Sequence, residues 1–287
     1  MAYTTIDDPA QYFQTVLYTG DGGSNRSVTV GFQPNFVWIK ERNGTNDQTL
    51  FDSVRGATKR LRANVNEAED TQANQLKSFD SDGFTLGSLS AVNNNGQNYV
   101  SWNWKEDTTA GFDIVTYTGA SGDQTFAHSL GVAPEWYLVK ERGNANSWVV
   151  NHIGLANQTN AYLFLNSSDA AGTDSWFNST APSSSVVHAN DGDSPTNRNG
   201  GTYVMYLWRS VKGFSKFGSY TGNGSTDGTF VYTGFRPAWI LIKKTAGSQD
   251  WQLMDTKRDS FNLASRRIEP NNGDAENNDT SYNNMDI

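Results

Sequence analysis

Phe112-Asp113-Ile114-Val115-Thr116-Tyr117-Thr118-Gly119, followed by Gly131-Val132-Ala133-Pro134 and Trp136-Tyr137-Leu138-Val139-Lys140, decides the fold, because the chain repeats it almost three times. The first stretch is preceded by Phe13-Gln14-Thr15-Val16-Leu17-Tyr18-Thr19-Gly20 and followed by Phe214-Ser215-Lys216-Phe217-Gly218-Ser219-Tyr220-Thr221-Gly222. The turn and the Lys-terminated strand recur as Gly31-Phe32-Gln33-Pro34 with Phe36-Val37-Trp38-Ile39-Lys40, and as Gly234-Phe235-Arg236-Pro237 with Trp239-Ile240-Leu241-Ile242-Lys243. The three prolines lie 100 and 103 residues apart. That period is too long for a solenoid coil and suits one small domain per copy. Tandem domains are therefore expected at 1–107 with a short leader, 108–211, and 212–287.

Further motifs align in order. Thr49-Leu50-Phe51-Asp52 is matched to Trp148-Val149-Val150-Asn151 and Trp251-Gln252-Leu253-Met254-Asp255. Leu61-Arg62-Ala63-Asn64 is matched to Leu163-Phe164-Leu165-Asn166 and Ile268-Glu269-Pro270-Asn271, and Gly83–Gly87 to Ser185–Ala189. Two copies close with Tyr99-Val100-Ser101-Trp102-Asn103-Trp104 and Tyr203-Val204-Met205-Tyr206-Leu207-Trp208. Alternate residues of a strand share a face, so Val100, Trp102 and Trp104 form one row, as do Val204, Tyr206 and Trp208. The Lys-terminated strands are apolar on both faces, as central covered strands are. The pattern predicts an all-β chain of tandem antiparallel β-sandwich domains of lectin-like jelly-roll type. The charged stretch from Val54 to Glu69 reads as loop with one helical turn. The third copy lacks the last two strands, which would leave sheet edges open. The expectation is that the chain continues beyond residue 287, with completion by another subunit as the alternative.

Composition narrows the function. There is no Cys, so disulfides and thiolate metal sites are excluded. A net charge of −8 opposes phosphate backbones, so nucleic acid is not an expected partner. No apolar run suits a bilayer span or a secretory signal. His128, His152 and His188 all fall in the second copy without a nucleophile motif. Asp52, Glu67, Glu69, Asp80 and Asp82 offer carboxylates for sugar cleavage, but solvated loop residues are the simpler reading. Asp80-Ser81-Asp82-Gly83 and Asp191-Gly192-Asp193 resemble fragments of a calcium loop, though tight turns need the same residues; no cofactor is expected, with a structural Ca²⁺ as the one candidate. The non-recurring loop aromatics Trp176, Phe177 and Tyr282, with Asp191 and Asp193, are the candidate contact residues. The variable loops 88–98 and 188–201 are the candidate contact regions. Lys40, Lys140 and Lys243, with Glu41-Arg42 and Glu141-Arg142, read as an end-of-strand salt-bridge network.

Tyr18-Thr19-Gly20-Asp21-Gly22, Phe36-Val37-Trp38-Ile39-Lys40-Glu41-Arg42, Leu50-Phe51-Asp52-Ser53-Val54-Arg55-Gly56-Ala57 and Phe79-Asp80-Ser81-Asp82-Gly83-Phe84-Thr85-Leu86-Gly87 together resemble a repeat-domain family of virion proteins from tailed bacteriophages, especially marine and cyanobacterial ones. The resemblance covers essentially the whole chain and brings no catalytic residues with it. It implies a virion protein, such as a tail fibre, receptor-binding protein or head fibre, assembled in the host cytoplasm. The expected partners are the chain itself as a homotrimer, other virion proteins, and a host-surface glycan or receptor. The alternatives are a capsid-decoration protein with weak glycan binding and a polysaccharide depolymerase.

Overall fold

A computed structural model of the chain describes residues 4–190 and 195–278. The chain is all-β, built from antiparallel sheets. The first repeat holds β1 (Phe13–Thr19), β2 (Arg26–Thr29), β3 (Phe36–Glu41), β4 (Thr49–Asp52), β5 (Lys59–Arg62), β6 (Asp70–Thr71), β7 (Leu76–Asp80), β8 (Gly83–Leu86) and β9 (Asn98–Trp104). The second holds β10 (Phe112–Thr118), β11 (Gln124–Ala127), β12 (Trp136–Glu141), β13 (Val149–His152), β14 (Ala161–Phe164), β15 (Gly172–Thr173), β16 (Val186–Ala189) and β17 (Thr202–Trp208). The third holds β18 (Trp239–Ile242) and β19 (Gln252–Asp255).

Each of the first two repeats has a main sheet, ordered β1-β9-β3-β4-β5-β6 and β10-β17-β12-β13-β14-β15, so the last strand inserts between the first and third. A smaller sheet covers the outer face: β2-β8-β7 in the first repeat, β11-β16 in the second. Between the layers lie Val37, Ile39, Phe51, Phe84 and Tyr99 in the first repeat, and Tyr137, Val139, Phe177, Val187 and Tyr203 in the second. β3 and β12 are buried at all six positions, as their two-faced apolar sequence requires. The inner faces do not build separate cores. Trp38, Trp102 and Leu61 of the first repeat, Leu138, Trp148 and Tyr206 of the second, and Trp251, Leu253 and Ile268 of the third form one cluster.

The recurring Tyr-Thr-Gly has a physical explanation. Tyr18 stacks on Tyr99 at 5.1 Å and donates to Val92 O at 2.8 Å; Tyr117 stacks on Tyr203 at 4.8 Å and donates to Thr196 O at 2.7 Å. The following glycine lets the loop before the last strand approach. A Cβ at Gly20 would sit 2.1 Å from Asn94 O, and one at Gly119 2.4 Å from Arg198 O, so neither position admits a side chain.

Strand pairing corrects one alignment. Phe36 pairs with Asp52, Trp136 with His152 and Trp239 with Asp255. The counterpart of Asp52 is therefore His152, not Asn151, and Gln48, Trp148 and Trp251 are equivalent. The side-chain period of two makes this slip consequential, because it exchanges the faces of the strand. The stretch Val54–Glu69 is not helical; it carries β5, paired to β4.

Candidate functional site

The seams between repeats carry the buried polar chemistry, and they close into a ring. Three equivalent residues reach across: Trp148 Nε1 donates to Arg62 O at 2.7 Å, Trp251 Nε1 to Phe164 O at 2.9 Å, and Gln48 Nε2 to Glu269 O at 2.7 Å. The acceptors are equivalent too, so repeat two holds one, three holds two and one holds three. The lysines repeat the cycle. Lys140 Nζ donates to Asn66 O at 3.3 Å, Lys243 Nζ to Ser168 O at 3.1 Å and Lys40 Nζ to Gly273 O at 3.1 Å. The expected end-of-strand salt-bridge network is corrected for the lysines: their ammonium groups are satisfied by carbonyls, several from the neighbouring repeat. Burial pulls Lys40 and Lys140 down to about 8.

A third layer of the seam is ionic. Arg142 makes a two-pronged pair with Glu69, both bonds 2.9 Å, and Arg42 makes the same pair with Glu276, both 2.9 Å. Backbone bonds accompany them, Glu69 N to Arg142 O at 2.8 Å and Glu276 N to Arg42 O at 2.7 Å. At the remaining seam the equivalent residues are Ala171 and Thr245, and the backbone bond alone persists at 2.9 Å. Burial pushes the Glu69 carboxyl up, but the bonds from Arg142 and Arg55 outweigh it and hold it below the ordinary range; Arg42 does the same for Glu276. Deeper in, Tyr206 donates to Asp52 Oδ2 at 2.6 Å and Trp102 Nε1 to Asp255 Oδ2 at 3.0 Å. Arg55 and Arg258 clamp those same carboxylates from within their own repeats.

The third sector is open. It has no counterpart of β9 or β17 among the described residues, and β18 pairs with β19 alone. Around it Phe230 is 86% exposed and Tyr232 71%, in contrast to the covered faces of the other two repeats.

A family model described as Domain of unknown function (DUF7483) matches residues 8–287. The chain belongs to this family. No curated protein and no solved structure matches it.

In this DUF7483 chain the sequence candidates fall as follows. Phe177 is buried at 2% exposure and packs edge-on against Tyr137 in the outer core of the second repeat, so it is not an exposed contact. Trp176 is half-buried against Tyr162 at 4.1 Å. The second cover sheet has two strands where the first has three, and these loop aromatics fill the gap. Asp191, Asp193 and Tyr282 lie outside the described residues. The variable loops are anchored at Asn93 and Asn197, both fully buried. Asp52 and Glu69 are tied into the seam, Glu67 pairs with Arg62, and Asp80 accepts from Ser78 and Thr85, both at 2.7 Å. Asp82 accepts Val30 N and Gly31 N through its carbonyl. His128 meets Ser183 O, His152 accepts Gly154 N, and His188 sits on β16.

One carboxyl pair escaped the sequence reading. Glu106 and Asp113 hydrogen-bond at the junction of repeats one and two, beside a cleft of about 330 Å³ lined by Glu106, Asp107, Thr108, Phe112 and Ser129. Burial, then Asp113, pushes Glu106 up to about 7. Two carboxyls that share a hydrogen bond are too close for the ~5–10 Å spacing of sugar hydrolysis. Asp113 also accepts Ser129 N and Oγ, and Glu106 accepts Ile114 N, which makes the pair a junction clasp. Among the described residues no group of three or more His, Asp or Glu side chains could hold a metal ion, and no helix is long and apolar enough to cross a membrane.

Proposed function

We propose that this chain is a structural protein of a tailed-bacteriophage virion, a tail fibre or appendage that takes part in host adsorption. The observation that carries the reading is the closed ring: Asp52, Glu69, Asp255, Glu276 and the three recurring lysines all bind backbone or side chains across or beside a repeat seam. Buried charge of that kind favours one arrangement of parts, which suits a component of an assembled particle. The sequence motifs shared with virion repeat proteins point the same way. Self-association as a homotrimer, contact with other virion proteins and weak, multivalent binding of host-surface glycan belong to the same proposal.

The test is localisation on intact particles by cryo-electron microscopy with copies counted. A small symmetric set of densities radiating from the tail is the expected result. Density spread over the capsid lattice would replace the fibre with a decoration protein, and absence from the particle would overturn both. Light scattering checks the assembly state, and a monomeric full-length protein would remove the trimer.

A further inference from the structure

At the outer edge of the second main sheet the sequence departs from its siblings at two alternate positions. Leu61, Leu163 and Ile268 are equivalent by strand pairing. Tyr162 therefore stands where the siblings have Arg60 and Arg267, and Phe164 where they have Arg62 and Glu269. The siblings use these positions for ion pairs, Arg60 with Asp70, Arg62 with Asp47 and Arg267 with Glu269, so the fold itself needs no rings there. The cross-strand partner changes as well: Gly172 faces Tyr162 where Asp70 faces Arg60. A Cβ at Gly172 would lie 2.4 Å from Tyr162 Cζ, so the glycine lets the ring lie against the β15 backbone. Trp176 joins from the loop after β15, 4.1 Å from Tyr162 and 5.8 Å from Phe164, and all three rings are half-buried. We propose that Tyr162, Phe164 and Trp176 form a stacking platform for a neutral hexopyranose of a glycan, with Asp169 and Asp174 accepting from its hydroxyls.

The setting defines the ligand. A pyranose ring has an apolar face of axial C–H groups, which suits an aromatic surface, and a rim of hydroxyls, which suits carboxylates. Burial, then Asp174 and Asp169, raise the pKa of the Tyr162 hydroxyl, which places both carboxylates beside that ring. Asp169 accepts from Ser167 Oγ at 2.6 Å through Oδ2, and Asp174 accepts Ser175 N at 2.6 Å through Oδ1. The other oxygen of each is left for a ligand hydroxyl. The surrounding backbone is pinned. Asp174 N donates to Asn160 O at 2.8 Å, and Trp176 O accepts Asn190 N at 3.1 Å and Thr196 Oγ1 at 3.0 Å. On the far side Ser168 O accepts Gln249 N at 2.8 Å and Lys243 Nζ at 3.1 Å from the third repeat. Asn178 and Ser179, just after the platform, have φ of 54° and 44°, left-handed values that non-glycine residues seldom adopt. Strain of this kind gathers at ligand-binding loops. One such platform binds weakly and acts through many copies, so the assignment rests on the glycan-binding part of the function proposed above.

The probes are cellotriose, lactose and chitotriose, neutral β-linked sugars, each at millimolar concentration with the full chain and read by saturation-transfer NMR. At least one should take up saturation on the axial C–H protons of one ring face. Trp176→Ala should weaken that sugar about three- to tenfold, the range of one aromatic contact. Trp176→Phe keeps a ring and should retain most of the affinity. Asp174→Asn leaves the packing alone, removes the charge from one acceptor and should weaken binding severalfold. Calorimetry checks that each variant is folded. No saturation of any of these sugars, or an affinity unchanged by Asp174→Asn or by folded Trp176→Ala, would overturn the proposal. Localisation on the particle does not depend on this platform, so its failure is separable from failure of the virion reading.

Discussion

Replacing Tyr206 by Phe removes one hydroxyl and leaves the ring volume in place, which isolates the two hydrogen bonds that this hydroxyl makes across the seam of repeats one and two. That hydroxyl donates to Asp52 Oδ2 at 2.6 Å and accepts Arg55 at 3.2 Å, with all three side chains buried. Burial holds its pKa well above 10, so it remains a donor throughout the working pH range. A hydrogen bond to a charged group contributes about 1.5–3 kcal/mol. Asp52 keeps its bonds from Arg55 Nε and Arg55 N, so a net loss of about 2 kcal/mol is expected. At about 2–4 °C per kcal/mol for a chain of this size, calorimetry should show Tm lower by roughly 4–8 °C, still as one transition. A cycle with Asp52→Asn should be non-additive by about 1 kcal/mol, because the two groups touch. A shift under about 1 °C, or full additivity, would refute the reasoning that this seam is tightly coupled.

Other perturbations test the remaining contacts. The Glu69 and Glu276 carboxyls are held below their unfolded value of 4.5, so their stabilisation is complete above that pH and lost as pH falls through the folded values. Tm should therefore drop on acidification below about pH 4.5, and a Glu69→Gln, Glu276→Gln variant should start lower but show a flatter acid limb. Glu106 has the opposite sign: raised to about 7 from 4.5, it stabilises fully below pH 4.5 and that contribution is lost as pH rises through 7. Glu106→Gln should therefore gain Tm relative to the parent at pH 8 and not at pH 4; a gain that is equal at both would contradict the assignment. Lys40→Met strips the donor from Gly44 O, Asn46 O and Gly273 O, and urea unfolding should show a loss of about 2–4 kcal/mol.

The strands were legible because alternation writes their faces directly into the sequence. Val100, Trp102 and Trp104 point to the shared core, and β3 and β12 are covered on both faces, as the patterns require. The ring was not legible. Its contacts use residues that read as ordinary surface charge, Glu69 with Arg142 and Glu276 with Arg42. They also use a position occupied by Gln48, Trp148 and Trp251, whose equivalence shows only once strand pairing sets the register. Asn151 and His152 are both polar, so polarity alone could not tell which matched Asp52. Phe177 misled for a related reason: a loop without strand periodicity still delivers a core side chain where the cover sheet is narrow. The absence of a third closing strand among the described residues follows from the missing motifs.

The central claim is that three repeats enclose one core instead of standing in a row. Small-angle X-ray scattering on the 287-residue chain measures that directly. A ring closed on a shared core has a radius of gyration of about 19 Å by the scaling for a compact chain of this length. A radius of roughly 25–30 Å, as three domains of ~13 Å strung end to end would give, would contradict it.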